Sequence, residues 1–161
     1  MDNSKIIFGG PKNKADNNPP LPAKHSSANP EKQWRILIVE DELLVAENIK
    51  ELLISDGYTI AGICSSGEEA IEFFEKMNPD LILMDIRLSG KLDGIQTAEA
   101  IHRDLKRVPI LFISAYGEEM IEEISTFDFG PFDLITKPYD KLQISQCIAK
   151  LLKQSAPPHI N

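Results

Sequence analysis

The sequence predicts an α/β fold: a doubly wound five-stranded parallel sheet covered by five helices. Three observations carry that expectation. One short run, Ile36 to Val39, is wholly apolar, the pattern of a strand buried on both faces, and four more short runs resemble it. Segments with apolar residues at helical spacing separate them. The strict alternation of the two types over about 120 residues calls for right-handed crossovers, which put helices on each face of the sheet.

Residues 1–33 come first and cannot build a core. They are rich in Pro, Asn, Ser and Lys, with Ile6, Ile7, Phe8 and Leu21 as their main bulky apolar residues, and are expected to form a flexible tail. The folded domain is expected over 34–153. Its first strand is the run Ile36 to Val39, followed by a helix whose inner face carries Val45, Ile49, Leu52 and Leu53. A second strand spans Thr59 to Cys64, and a helix with Ala70, Phe73, Phe74 and Met77 follows. Leu81 to Met84 forms the third strand, ahead of a helix marked by Ile95, Ala98, Ile101 and Leu105. The fourth strand, Ile110 to Ile113, leads into a shorter helix with Met120, Ile121 and Ile124 facing inward. Phe132 to Ile135 is the fifth strand, and a last helix, also shorter, shows Ile144, Ile148 and Leu151. Residues 154–161 are expected to be a second flexible tail, too Pro-rich and too short for an effector domain.

Charge and composition remove several function classes. The formal net charge is -8, with +2 on the first 32 residues and -10 on the remainder. Such a surface disfavours direct attraction to nucleic acid or anionic membranes. Cys64 and Cys147 each lie in an apolar stretch and read as buried reduced thiols, which fits a reducing cytoplasm. No run approaches the roughly 20 apolar residues of a membrane span, and Met-Asp-Asn-Ser-Lys does not open a secretory leader. A cytoplasmic protein is expected.

In sheets of this class, function gathers at the carboxyl ends of the strands, near the point where strand order reverses. Glu40 and Asp41 follow the first strand, Asp85 the third and Ser114 the fourth, and Lys137-Pro138 comes just beyond the fifth. Carboxylates converging there repel by about 4 kcal/mol per pair at ~4 Å and an effective dielectric of ~20 unless a cation lies between them. An all-oxygen donor set favours Mg²⁺ (or Mn²⁺) over zinc. No histidine competes for it: His25 and His159 fall in the tails, and His102 reads as a surface or half-buried residue of the third helix. Asp85 is expected to be open to solvent.

The stretches Ile-Leu-Ile-Val-Glu-Asp-Glu from Ile36, Pro-Asp-Leu-Ile-Leu-Met-Asp-Ile-Arg-Leu from Pro79, Ile-Ser-Ala from Ile113 and Thr-Lys-Pro from Thr136 occur in this order. Together they closely resemble the receiver domains of two-component response regulators, of the chemotaxis-regulator type. The resemblance implies the flavodoxin-like strand order 2-1-3-4-5 and a phosphoprotein that turns over no metabolite. By position, Asp85 is implied as the phosphoacceptor, forming an aspartyl phosphate. Asp41, Glu40 through water, Asp85 and the backbone carbonyl of Arg87 are implied as holding Mg²⁺. Lys137 neutralises the incoming phosphoryl oxygens, and Ser114 donates to them and draws its loop along. Pro138 corresponds to the family's cis-proline. The implied donor is a phosphohistidine of a sensor histidine kinase or a histidine phosphotransfer protein. Output is implied through protein contact with an unknown downstream target, at the face of the fourth helix, fifth strand and fifth helix.

Some positions depart from the family pattern. Leu134 stands where an aromatic switch residue is common, so either signalling uses a different readout or a neighbour such as Phe132, Tyr116 or Tyr139 takes that role. The loop from Ile86 to Gly94 is one residue longer than the commonest form, with Ser89 where proline is frequent. Arg87 and Tyr116, two residues after Asp85 and Ser114, occupy positions that tune dephosphorylation in the family, and are expected to shield the acyl phosphate. Two other readings compete. An Asp-nucleophile phosphohydrolase would want a second acid where Arg87 stands; a receiver-shaped scaffold would never be phosphorylated. A flavin phosphate cradle is excluded by Glu40-Asp41-Glu42 at the first loop.

Overall fold

The central strands are apolar at every position but one terminal residue each because both of their faces are covered. The computed structural model describes residues 32–128 and 130–155; the expectations for 1–31 and 156–161 lie outside the described residues. One parallel sheet is built from β1 (Arg35–Val39), β2 (Thr59–Cys64), β3 (Leu81–Asp85), β4 (Ile110–Ser114) and β5 (Phe132–Thr136). Their order is β2-β1-β3-β4-β5. The crossovers are α1 (Leu43–Ser55), α2 (Gly67–Met77), α3 (Gly94–Asp104) and α4 (Glu118–Ser125), and α5 (Lys141–Ser155) closes the chain order.

Successive strand residues point to opposite faces, and each set finds its own core. Leu37, Val39, Ile82, Met84, Ile110 and Phe112 pack with Ala70 and Phe74 of α2, Ala98 and Ile101 of α3, and Ile124 of α4. Ile36, Ile38, Leu81, Leu83, Leu111 and Ile113 pack on the other face with Ala46, Ile49 and Leu53 of α1, and with Ile144, Ile148 and Leu151 of α5. Each fully buried Leu or Ile contributes about 1.5–3 kcal/mol of transfer free energy, so a register slip in any central strand is strongly disfavoured.

Register carries the site. Val39 lies opposite Met84, so Glu40 and Asp85, the next residues of neighbouring strands, emerge side by side where strand order reverses. Asp85 pairs with Ile113 and Ser114 with Thr136, which puts Ser114 and Lys137 one step further along the same rim. Lys137 N–H donates to Ser114 O at 2.7 Å. At the opposite ends of the strands, Lys32, Trp34, Asp80, Pro109, Pro131 and Ser155 line a cleft of about 380 Å³. Lys32 pairs with Asp80 at 2.8 Å and lies 4.0 Å from the Trp34 ring centre.

Three expectations need correction. Ile121 is 45% exposed: Met120 and Ile124, four residues apart, share the inward face of α4, and Ile121 is turned about 100° away from Met120. α5 is the longest helix, with 15 residues, because polar Gln, Ser and Lys extend it where no apolar residue advertises the turn; Gln154 and Ser155 belong to it. His102 is buried, its Nε2 accepting from Val108 N–H at 3.4 Å, since Val108 folds back over the end of α3.

The cysteines follow the expectation in part. Both are free thiols; Cys64 is buried, and burial pushes its thiol up to about 12, whereas Cys147 is half-buried. Among the described residues no helix is long and apolar enough to cross a membrane.

Candidate functional site

Four strand-end side chains expected to meet, Glu40, Asp41, Asp85 and Lys137, do so at one rim of the sheet, and Ser114 ends β4 on the same rim. Glu40, Asp41 and Asp85 each place a carboxylate oxygen within 4.8 Å of the others. Lys137 Nζ lies 2.6 Å from Asp85 Oδ2 and 3.4 Å from Glu40 Oε2. Its peptide bond to Pro138 is cis. Ser114 is buried, and its Oγ accepts from Tyr116 N–H at 2.9 Å, so the hydroxyl proton is left to donate.

Asp85 differs from the expectation of an open carboxylate. Its side chain is 6% exposed, because both oxygens are covered: Oδ1 accepts from Arg87 N–H at 2.8 Å, and Oδ2 meets the Lys137 ammonium. The lysine itself is 27% exposed. The Lys137 side chain thus covers one of the two Asp85 oxygens and would have to move for that oxygen to be reached.

The electrostatics describe an acidic site short of positive charge. Burial first, and the neighbouring Asp85 charge second, push Glu40 up to about 7. Glu42 N–H, at 3.2 Å from Glu40 Oε1, and Lys137 oppose that rise without cancelling it. Burial alone would lower the Lys137 ammonium, but hydrogen bonding to Asp85 and the charges of Asp85 and Glu40 outweigh it, so its pKa is raised. Three converging carboxylates with one ammonium among them leave a net negative crevice lined with oxygen donors. That donor set fits a hard divalent cation such as Mg²⁺ and lacks the His or Cys that zinc would want.

Around this centre the structure adds contacts that sequence reasoning missed. Ser89 N–H donates to Asp41 Oδ2 at 3.1 Å, and the Ser89 hydroxyl donates to the same oxygen. Glu68, in the first turn of α2, accepts from Lys91 N–H at 2.9 Å, and backbone N–H groups hold its carboxyl below the usual range. Gly94, at the start of α3, lies where a Cβ would come within 2.2 Å of the Asp85 carbonyl oxygen. The only signal available for Ser89 was its place where proline is frequent. Glu68 could have been suspected from an acid at a helix start beside a long loop.

The remaining expected residues divide between the surface and the cores. The Arg87 guanidinium lies 4.7 Å from the centre of the Tyr116 ring, and Tyr116 is 48% exposed. Leu134, opposite Phe112 in the sheet, is half-buried against the first core. Phe132 packs edge-on to Phe112 with ring centres 6.3 Å apart, and Tyr139 is half-buried against the second core. Of the three aromatic candidates for a switch, Tyr116 is the one held least by packing.

Comparison with known proteins agrees with this arrangement. Residues 36–149 match the model of the response regulator receiver domain family. The chain is 34% identical over 122 residues to the chemotaxis protein CheY of Treponema pallidum, covering 74% of this chain and 83% of that one. It is 36% identical over 106 residues to the transcriptional regulatory protein PdtaR of Mycobacterium tuberculosis, covering 65% of this chain and half of that protein. The solved CheX-CheY-BeF3-Mg complex from Borrelia burgdorferi contains a chain that superposes with a TM-score of 0.66 at 26% identity, over 73% of this chain and 87% of that one. The register that gathers Glu40, Asp41, Asp85, Ser114 and Lys137 at one rim thus comes with the kinship expected of it, and the chain belongs to the response regulator receiver domain family.

Proposed function

We propose that Asp85 accepts a phosphoryl group from a phosphohistidine of a sensor histidine kinase or histidine phosphotransfer protein, in a Mg²⁺-dependent reaction whose output passes through protein contact. The observation that carries this reading is the Lys137 ammonium 2.6 Å from Asp85 Oδ2, beside two further carboxylates that have no structural need to converge. An Asp85 oxygen attacks phosphorus in line; the phosphorus–nitrogen bond to the donor imidazole breaks, and its electron pair stays on that nitrogen. Lys137 follows the charge from Asp85 onto the phosphoryl oxygens. Glu40, Asp41, Asp85 and the Arg87 main-chain carbonyl are the groups that would hold the cation. When bound, it supplies positive charge to oxygens that would otherwise meet three carboxylates.

Ser114 then links chemistry to surface. Its Oγ accepts from Tyr116 N–H in the present state; turning toward a phosphoryl group would take that acceptor away and release the exposed Tyr116. The likeness to a CheY chain solved with BeF3, Mg and CheX supports a reading in which the same rim serves phosphoryl chemistry and partner binding. Arg87, where a phosphohydrolase would place a second acid, supports signalling over turnover.

The test is incubation of the full chain with acetyl phosphate and Mg²⁺, followed by intact-mass measurement. A gain of about 80 Da is expected, absent without Mg²⁺ and absent in Asp85→Asn. A parent chain that gains no mass would leave the scaffold reading standing.

A further inference from the structure

We propose that Ser89 is a positioning residue for the cation site: its two donors fix Asp41 and thereby lock the loop after β3 against the turn after β1. The inference rests on the proposed function, since it concerns how this chain prepares the same carboxylates.

Between its ends, the loop of residues 86–93 is tied down by three contacts to carboxylates. Arg87 N–H donates to Asp85 Oδ1 at 2.8 Å, Ser89 holds Asp41, and Lys91 N–H donates to Glu68 Oε1 at 2.9 Å. Gly90 lies between the last two anchors, where a Cβ would stand 2.9 Å from Glu68 Oε2, so the loop passes close to α2. The Arg87 anchor stays within β3 and its own loop, and the Lys91 anchor leads away from the acidic cluster. Ser89 alone joins Asp41 to the loop that carries Arg87, across 48 residues of sequence.

The pattern of atoms gives the direction of the effect. Both Ser89 donors converge on Asp41 Oδ2, and Oδ1 takes no hydrogen bond among the described residues. One oxygen is anchored while the other stays available to a cation. Asp41 is half-buried, so without the anchor its side chain would sample several rotamers that an ion would have to freeze. Hydrogen bonds to ligating carboxylates typically govern metal affinity by 10–100-fold. Ser89 thus does through two hydrogen bonds what a rigid loop residue would do through its backbone.

Isothermal calorimetry of Mg²⁺ binding to the full chain, Ser89→Ala and Ser89→Thr tests this, with thermal midpoints taken in EDTA. Ser89→Ala is expected to weaken Mg²⁺ binding about tenfold with an unchanged midpoint. Ser89→Thr, which keeps the hydroxyl, should stay within about threefold of the parent. An alanine variant that binds as well as the parent overturns the inference alone, and one that binds more tightly shows that Ser89 competes with the ion. A threonine variant as weak as alanine also overturns it. A parent chain that takes up no Mg²⁺ overturns the proposed function and, with it, this inference.

Discussion

Arg87 lays its guanidinium 4.7 Å from the centre of the Tyr116 ring, joining the residue two beyond Asp85 to the one two beyond Ser114. The pair links the loops after β3 and β4, and under the proposed function it would roof the approach of water to a phosphoryl group on Asp85. Arg87→Ala and Tyr116→Ala are each expected to shorten the lifetime of the phosphorylated chain several-fold in a phosphate-release assay. Because a stacked pair acts as a unit, the double variant should lose little beyond the faster single one. Singles that hydrolyse at the parental rate would dismiss the roof.

Lys137 is the only ammonium in contact with the acidic cluster among the described residues. Its replacement by alanine removes charge that the transition state uses, and phosphorylation by acetyl phosphate should slow by about 10²–10³-fold. Arginine should restore little of the loss: a broad planar fork does not replace a compact charge 2.6 Å from Asp85. Intact mass followed over time reads both effects.

Glu40 is held protonated to about pH 7 by burial and by Asp85. A carboxyl whose folded pKa is raised stabilises the fold least once it must ionise there. In Mg²⁺-free buffer the contribution is fully present below about pH 4.5 and is lost as pH rises through about 7. Glu40→Gln removes that loss, so at pH 8 the metal-free variant should be more stable than the parent by about 1–3 kcal/mol, with the two converging in acid. Urea titrations at pH 4.5 and 8 provide the comparison; a variant less stable than the parent at pH 8 would show that the cluster carries no such strain.

Gly94 fits α3 against β3 with no room for a side chain. An alanine Cβ would lie 2.2 Å from the Asp85 carbonyl oxygen and 2.9 Å from Ile86 Cα, both main-chain atoms that cannot swing aside. Gly94→Ala should cost about 2–4 kcal/mol in denaturant unfolding and displace Asp85 from Lys137. A near-neutral value would mean that α3 can slide along the sheet.

What the sequence made legible follows from how each feature is encoded. The three central strands declared themselves because burial on both faces leaves an apolar run, the edge strands β2 and β5 by their resemblance to those runs, and the strand-end residues followed once the runs were placed. Ile121 escaped because the eight-residue α4 gives too few turns to fix its inward face, and His102 because the cover comes from Val108, beyond the end of α3. The Ser89–Asp41 and Glu68–Lys91 contacts escaped for another reason. They bridge 48 and 23 residues of sequence, and nothing local distinguishes a serine that anchors a carboxylate from one that merely turns a loop. The covering of Asp85 by Lys137 was equally unreadable, since residue type tells that a lysine is present and not which rotamer it adopts.

The cleft that holds both Lys32 and Ser155 sits at the amino ends of the strands, the pole opposite Asp85. Anything grafted onto either flank, whether a fluorescent reporter, a surface linker or a second module, is therefore attached on the far side from the acidic rim. The domain can be held at that cleft with its acidic rim still facing the medium.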